Sequence, residues 1–276
     1  MQLIFVFLCF LSSYVSTEQT PDLEILSYNI RYDNPEDGKN QWKFRKETLT
    51  GYFLKNTPDV MGMQEVLHNQ LNDLTSTLED YAYVGVGRED GKTKGEYSPI
   101  FYRKSALNLL ESDTFWLSET PEQISVGWDA ALERICTYAR FEHRTSKKQF
   151  WVFNTHFDHV GVKARAEAAN LILKKIKELN PSSLPTVITG DFNLTPETQP
   201  IQIFQAAFED VLLELPKTDT TYGTFTGFDT ENNAERRIDY IFQKGFTVKK
   251  AAQLWIKTPE GRWASDHHPV YLACSF

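Results

Sequence analysis

Asp191 and Asn193, in Thr189-Gly190-Asp191-Phe192-Asn193, are the residues with the clearest chemical use. The apolar run Leu184-Pro185-Thr186-Val187-Ile188 leads into them, and Thr195-Pro196 break away after them. This predicts a buried strand that delivers both residues to its exposed carboxyl end. Side chains two residues apart on a strand share a side, so an acceptor carboxylate stands beside a neutral amide. That pair suits the activation of a water next to an anion. Gly190 lets the backbone approach a neighbour closely, and Phe192 anchors the turn from below. The same five residues also suit a plain Asx turn. The company they keep elsewhere in the chain decides between the two.

Asn29, Glu65, His156, Asp239 and the pair Asp266-His267 also fall where predicted strands stop, and in α/β folds such ends face a ligand crevice. Glu65, Asn29 and Asp266 offer the oxygen ligands a hard divalent cation takes. His156, His267 and Asn193 offer donors to phosphate oxygens. Asp239 is a carboxylate in the otherwise apolar Arg237-Ile238-Asp239-Tyr240-Ile241-Phe242. A buried carboxylate needs a partner, and holding a histidine in one orientation is one such use. Bland uses stay open: Glu65 as the cap of a helix beginning near His68, His156 as a core histidine, Ser265-Asp266-His267-His268-Pro269 as a turn. Arg31, Arg134 and His159 are candidates for substrate binding, with Asp158 and Arg165 behind them. Trp116, Trp128 and Trp263 suit either a pocket wall or core packing.

The elements that must position these residues read as follows. Strands are expected over Leu23 to Ile30, Val60 to Gln64, Tyr81 to Val86, Ser98 to Arg103, Leu107 to Leu117, Ile135 to Glu142 and Phe150 to Phe157. The central strand follows, then Arg237 to Gln243, Phe246 to Ile256 and Val270 to Ser275. Helices are expected over about 43 to 56, 68 to 79, 162 to 179 and 201 to 208. Helices fall between strands in each half, with strand-to-strand blocks between. This implies an α/β (α+β) chain with two mixed sheets packed face to face and helices outside.

The chain has 276 residues, 41% of them hydrophobic, enough for one sizeable core. Its formal net charge of -8 makes long duplex DNA an unsuitable partner. Residues 1–17 are uncharged with the apolar run Leu3 to Leu11, followed by Ser and Thr. They read as a signal peptide cleaved between residues 16 and 20, which implies a secreted or periplasmic protein; a retained anchor is the alternative. No other stretch suits a membrane span. Residues 21–276 read as one domain, expected to be a monomer. Cys136 and Cys274 stand equally open as a disulfide or as two buried thiols.

Taken in order, Asn29, Glu65, His156, Gly190-Asp191-Phe192-Asn193, Arg237-Ile238-Asp239-Tyr240 and Ser265-Asp266-His267-His268-Pro269 resemble the endonuclease/exonuclease/phosphatase superfamily, over about residues 24 to 275. The resemblance implies a DNase I-like four-layer sandwich and a phosphoesterase dependent on Mg²⁺ or Mn²⁺. It implies Glu65 with Asn29 and Asp266 as metal-binding residues and Asp191 as the base that activates water. Asn193 would steady Asp191, and His267, backed by Asp239, would meet the phosphoryl oxygens. His156 would bind from the other side, supported by Glu96. Tyr28-Asn29-Ile30-Arg31-Tyr32-Asp33-Asn34 and Asn154-Thr155-His156-Phe157-Asp158-His159 are similar to a secreted hydrolase branch. Acidic charge and the lack of a basic stripe favour a small phosphate ester or an exposed head group as substrate. A nuclease on short or single-stranded nucleic acid is the alternative, as is a binding protein that has lost the chemistry.

Overall fold

The computed structural model describes residues 22–213, 223–231, 234 and 236–276. The expected leader, residues 1–17 with cleavage at 16 to 20, lies outside them. Among the described residues no helix is long and apolar enough to cross a membrane.

Two six-stranded sheets make up the fold. The first holds β1 (Leu23–Asn29), β2 (Val60–Gln64), β3 (Tyr81–Val84), β4 (Ile100–Arg103), β11 (Thr247–Gln253) and β12 (Val270–Ser275), in the order β11-β12-β1-β2-β4-β3. The second holds β5 (Leu107–Trp116), β6 (Ile135–His143), β7 (Gln149–His156), β8 (Thr186–Asp191), β9 (Glu209–Asp210) and β10 (Asp239–Lys244), in the order β5-β6-β7-β8-β10-β9. One parallel pair sits in each sheet, β1 with β2 and β7 with β8; the other pairings are antiparallel. Among the described residues four α-helices accompany them: α1 (Lys46–Asn56), α2 (His68–Thr77), α3 (Val162–Leu179) and α4 (Gln199–Ala207).

Alternation along the central strands builds four layers. Leu23 and Ile25 of β1 join Val152, Val187 and Ile241 in the core between the sheets. Leu26 and Tyr28, one position off, join Leu49 and Phe53 of α1 and Leu71 and Leu74 of α2. Ile188 of β8 likewise joins Ala168 and Ile172 of α3 and Ile201 and Phe204 of α4. Strands covered on both faces read as continuous apolar runs, as Val60-Met61-Gly62-Met63 and Thr186-Val187-Ile188 do.

Toward one end the seam between the sheets turns polar. Asn154 of β7 donates from Nδ2 to Met63 O (2.7 Å) and Pro99 O (2.9 Å), and its Oδ1 accepts from Gln64 Nε2 (2.7 Å) and Thr189 Oγ1 (2.9 Å). Gly190 N donates to Ser27 Oγ across the same seam at 3.0 Å. Gly62 makes this approach possible: a Cβ there would lie 2.0 Å from Thr189 Oγ1.

Several boundaries differ from those expected. The helix over 43 to 56 is two pieces, a 3-10 turn (Trp42–Phe44) and α1, separated at Arg45. The strands over 81 to 86, 98 to 103 and 246 to 256 are shorter, because their ends turn away into loops. β9 is too short to carry a sequence signal. Cys136 and Cys274 are free, buried and in opposite sheets. Burial pushes both thiols up, Cys274 to about 12.

Candidate active site

Topology brings the chemistry-bearing residues to one edge. The parallel strands β1, β2, β7 and β8 all point their carboxyl ends at it, ending at Asn29, Gln64, His156 and Asp191. β10 runs antiparallel to β8, so its first residue, Asp239, pairs with Asp191 at the same edge. β12 runs antiparallel to β1, which places the preceding Ser265-Asp266-His267 there too. The chain leaves the strands sharply: Arg31, Glu65 and Asn193 have φ of 59°, 60° and 52°. Left-handed backbone is tolerated at Asn but costs on the order of 1 kcal/mol at Arg or Glu.

Asn29 is at the middle. Its Nδ2 lies 3.0 Å from Glu65 Oε1, 2.9 Å from Asp191 Oδ2 and 3.4 Å from His267 Nε2. Its Oδ1 accepts from Arg31 N at 3.0 Å, which fixes the amide's orientation. Asn29 therefore offers the carboxylates its nitrogen, and its oxygen keeps a second lone pair beside the Arg31 bond. Glu65 Oε2 accepts from Tyr32 N at 3.1 Å. Burial and the neighbouring Asp266 push the Glu65 carboxyl up.

Asp191 Oδ1 accepts from Asn193 N at 2.9 Å, and Oδ2 lies 3.6 Å from His156 Nε2 and 3.7 Å from His267 Nε2. Burial opposes its ionisation, but the two histidines and the Asn193 and Asn29 donors hold it below the usual range. His267 Nδ1 lies 2.8 Å from Asp239 Oδ2, and Thr224 Oγ1 accepts from Asp239 N at 3.1 Å.

Asn193 Nδ2 donates to Phe157 O (3.0 Å) and to His156 Nε2 (3.1 Å). The other ring nitrogen of His156 is Nδ1. That atom is buried without a hydrogen bond and faces Glu96 Oε2 at 3.6 Å. Glu96 forms a bidentate pair with Arg88 (3.0 and 2.9 Å). Burial pulls its carboxyl up, but His156 and Arg88 hold it down to about 2.

The remaining candidates lie around this centre. Arg31 makes a bidentate pair with Asp37 (both 3.0 Å) and stands 3.9 Å from Glu65 Oε2 and 3.8 Å from Asp266 Oδ2. Arg134 is buried on Asp158 (3.4 Å), and its Nη2 meets Nδ1 of the exposed His159 at 3.0 Å. Asp158 also accepts from Ala131, Val160 and Gly161 N–H, so it knots two loops together. The Trp116 and Trp263 rings are buried and donate to Arg88 O and Asp229 O. Asp37, Arg45 and Arg88 were not singled out in the sequence: each sits in a stretch that reads as an ordinary charged turn or helix.

The donor set fits a hard divalent cation. Glu65, Asp191, Asp239 and Asp266 crowd buried carboxylates together. Ligand atoms of Glu65, His156 and Asp191 lie within 4.8 Å of one another, as do those of Asp191, Asp239 and His267. Glu65, pushed up by burial and Asp266, has the environment a cation would relieve.

A family model described as "Endonuclease/Exonuclease/phosphatase family" matches residues 26–267. Among solved structures, the chain is similar to the mannosyl-6-phosphatase Bt3783 of Bacteroides thetaiotaomicron VPI-5482, with 39% identity over 92% of this chain and 100% of that one, and a TM-score of 0.86. A Bacteroides vulgatus endonuclease/exonuclease/phosphatase is 40% identical, covering 92% of this chain and 98% of that one, with a TM-score of 0.85. Among curated proteins, a probable RNA exonuclease of Saccharomyces cerevisiae, NGL3, is 30% identical over 67% of this chain. An uncharacterized mimivirus protein, L388, is 28% identical over 55% of it. The chain spans 40% and 59% of the lengths of those two relatives.

Proposed function

The chain belongs to the Endonuclease/Exonuclease/phosphatase family, and from that membership we propose that it hydrolyses a small phosphate ester, of the sugar-phosphate class, by attack of an activated water on phosphorus. The observation that carries this reading is the seat of Asp191. Its Oδ2 faces both imidazoles and the Asn29 amide, while its other oxygen is fixed by Asn193 N.

Glu65, with Asp266 beside it and Asn29 steadying it, would hold Mg²⁺ or Mn²⁺. A divalent cation bound there supplies charge stabilisation to a phosphate oxygen. Asp191, kept ionised by its neighbours, takes the proton of the attacking water. Asn193 fixes that carboxylate through its N–H and holds the His156 ring in place. His267, charged and backed by Asp239, donates from Nε2 toward phosphoryl oxygens and stabilises the charge that develops on them. His156 faces the same space from the second sheet. Arg31 stands between Glu65 and Asp266 and is placed to meet substrate; Arg134 and His159 form a second basic group beyond His156.

The sugar-phosphate class rests on the likeness to the mannosyl-6-phosphatase over that protein's whole length and on an acidic chain without a basic stripe. A second reading, a nuclease on short single strands, rests on the likeness to the probable RNA exonuclease. Secretion through the 1–17 leader, a single catalytic domain over 21–276 and a monomeric state belong to the same proposal.

The deciding assay supplies Mg²⁺ or Mn²⁺ with mannose 6-phosphate, other sugar phosphates and short oligoribonucleotides, with Asp191→Asn as control. Inorganic phosphate released from a sugar phosphate by the wild type alone supports the proposal. Shortened oligonucleotides without sugar-phosphate turnover would establish the nuclease reading instead.

A further inference from the structure

Arg45 is fully buried, at 0% exposure. Among the described residues no carboxylate pairs with it. Its guanidinium instead donates to four main-chain carbonyls: Nε to Asn40 O (2.5 Å), Nη1 to Ile30 O (2.8 Å) and Ala264 O (2.7 Å), and Nη2 to Arg31 O (3.2 Å). The rings of Trp42 and Phe228 stand 5.6 and 5.5 Å from its central carbon. Burial pulls its proton affinity below the ordinary arginine range, with Tyr28 and Asp266 acting the other way.

The carbonyls it gathers are not scattered. Ile30 and Arg31 follow Asn29 directly, and Ala264 precedes Ser265-Asp266-His267. The two segments are more than two hundred positions apart, and one side chain spans both. A fork of five N–H groups in fixed directions suits this; a lysine offers three donors from one point. Ser265 Oγ, donating to Asn29 O at 2.7 Å, is a second tie between the same segments.

We propose that Arg45 is a positioning residue of the site: it sets the spacing between Asn29 and Arg31 on one side and Asp266 and His267 on the other. The inference rests on the proposed phosphoesterase reading. The Asn29 amide, which faces Glu65 and Asp191, lies on one side of the gap it closes, and Asp266 with the phosphoryl-facing His267 lies on the other. A displacement of about 1 Å at such a gap costs on the order of 100-fold in rate.

The test uses the full chain as wild type, Arg45→Lys and Arg45→Met. Circular dichroism establishes folding at the assay temperature. Steady-state kinetics on the substrate found above is then combined with Mn²⁺ binding by electron paramagnetic resonance. Folded Arg45→Lys is expected to lose about 100-fold in kcat with KM within threefold of wild type. Mn²⁺ affinity should be weakened, and hydrogen exchange should rise selectively at 30–32 and 264–268. Arg45→Met should be as deficient or worse. Should Met at this position prevent folding, the Lys variant decides alone. Arg45→Lys with a lowered melting temperature but wild-type kcat and Mn²⁺ binding would overturn the proposal and leave Arg45 merely structural. A wild type without metal-dependent turnover would overturn the site reading itself, and this inference with it.

Discussion

His267 Nδ1 and Asp239 Oδ2 meet at 2.8 Å, both buried, in a contact that crosses from one sheet to the other. Burial works against a charged imidazole, but Asp239 and Asp191 outweigh it and hold His267 well above its ordinary range. Asp239→Asn keeps the shape and removes the charge. We expect kcat to fall roughly 10²- to 10⁴-fold, as when the orienting carboxylate of a histidine is neutralised elsewhere. The alkaline limb of the pH–rate profile should move to lower pH, because the imidazole loses its proton sooner. A variant within threefold of wild type, with an unmoved profile, would remove the orienting role.

Cation binding should be visible without turnover. Glu65 is pushed up by burial and by Asp266, so a divalent cation that relieves it stabilises the folded state only. At a hundred times its Kd, Mg²⁺ or Mn²⁺ adds about 2.7 kcal/mol. Thermal melts in EDTA and in metal should therefore separate for the wild type and coincide for Glu65→Gln. Coincident wild-type melts would count against a cation at Glu65.

The knot at Asp158 predicts an acid-side loss of stability. Burial pulls this carboxyl up, but the N–H groups of Gly161, Val160 and Ala131, then Arg134, hold it down to about 2. Its ordinary value is near 3.9, so the contribution is about 2–3 kcal/mol. It is present in full above about pH 4 and lost as pH falls toward 2. Asp158→Asn should be less stable at pH 7 and lose less stability across that window than the wild type, as urea titrations at several pH values would show. An identical acid dependence in the variant would refute the assignment.

Gly62→Ala tests the seam. The added Cβ would fall 2.0 Å from Thr189 Oγ1 and 2.8 Å from Asn154 Oδ1, so the sheets must part or the Asn154 bonds must break. Overpacking of this kind costs about 2–3 kcal/mol. Chemical denaturation measures it, and a change under 0.5 kcal/mol would mean that the sheets give way freely here.

Much of this was legible before any coordinates. Alternating and continuous apolar runs marked the central strands, and where a run stopped at Asn29, Glu65, His156 or Asp191, the structure brings that residue to the shared edge. The two-sheet arrangement followed from helices falling between strands. Less legible were residues whose role depends on distant partners. Arg45 lies in Trp42-Lys43-Phe44-Arg45-Lys46 and reads as one more basic residue of a helix; only the fold reveals Ala264 beside it. Arg88 is likewise invisible until Glu96 is seen across its hairpin. The orientation of the Asn29 amide depends on the Arg31 backbone, which no side-chain pattern encodes.

The seam around Asn154 has a further consequence for how the protein loses activity. One sheet brings Asn29, Glu65, Asp266 and His267 and the other brings His156, Asp191, Asn193 and Asp239, so under the proposed function neither half would be a partial enzyme. A slip of a single residue between them, about 3.3 Å, would separate every pair that crosses the gap. Many enzymes go silent when a mobile loop melts long before the core. Here the groups of the proposed site end or adjoin deeply buried strands. Residual activity along a urea gradient should therefore follow the global unfolding curve, which makes turnover a gauge of whether the two sheets are docked.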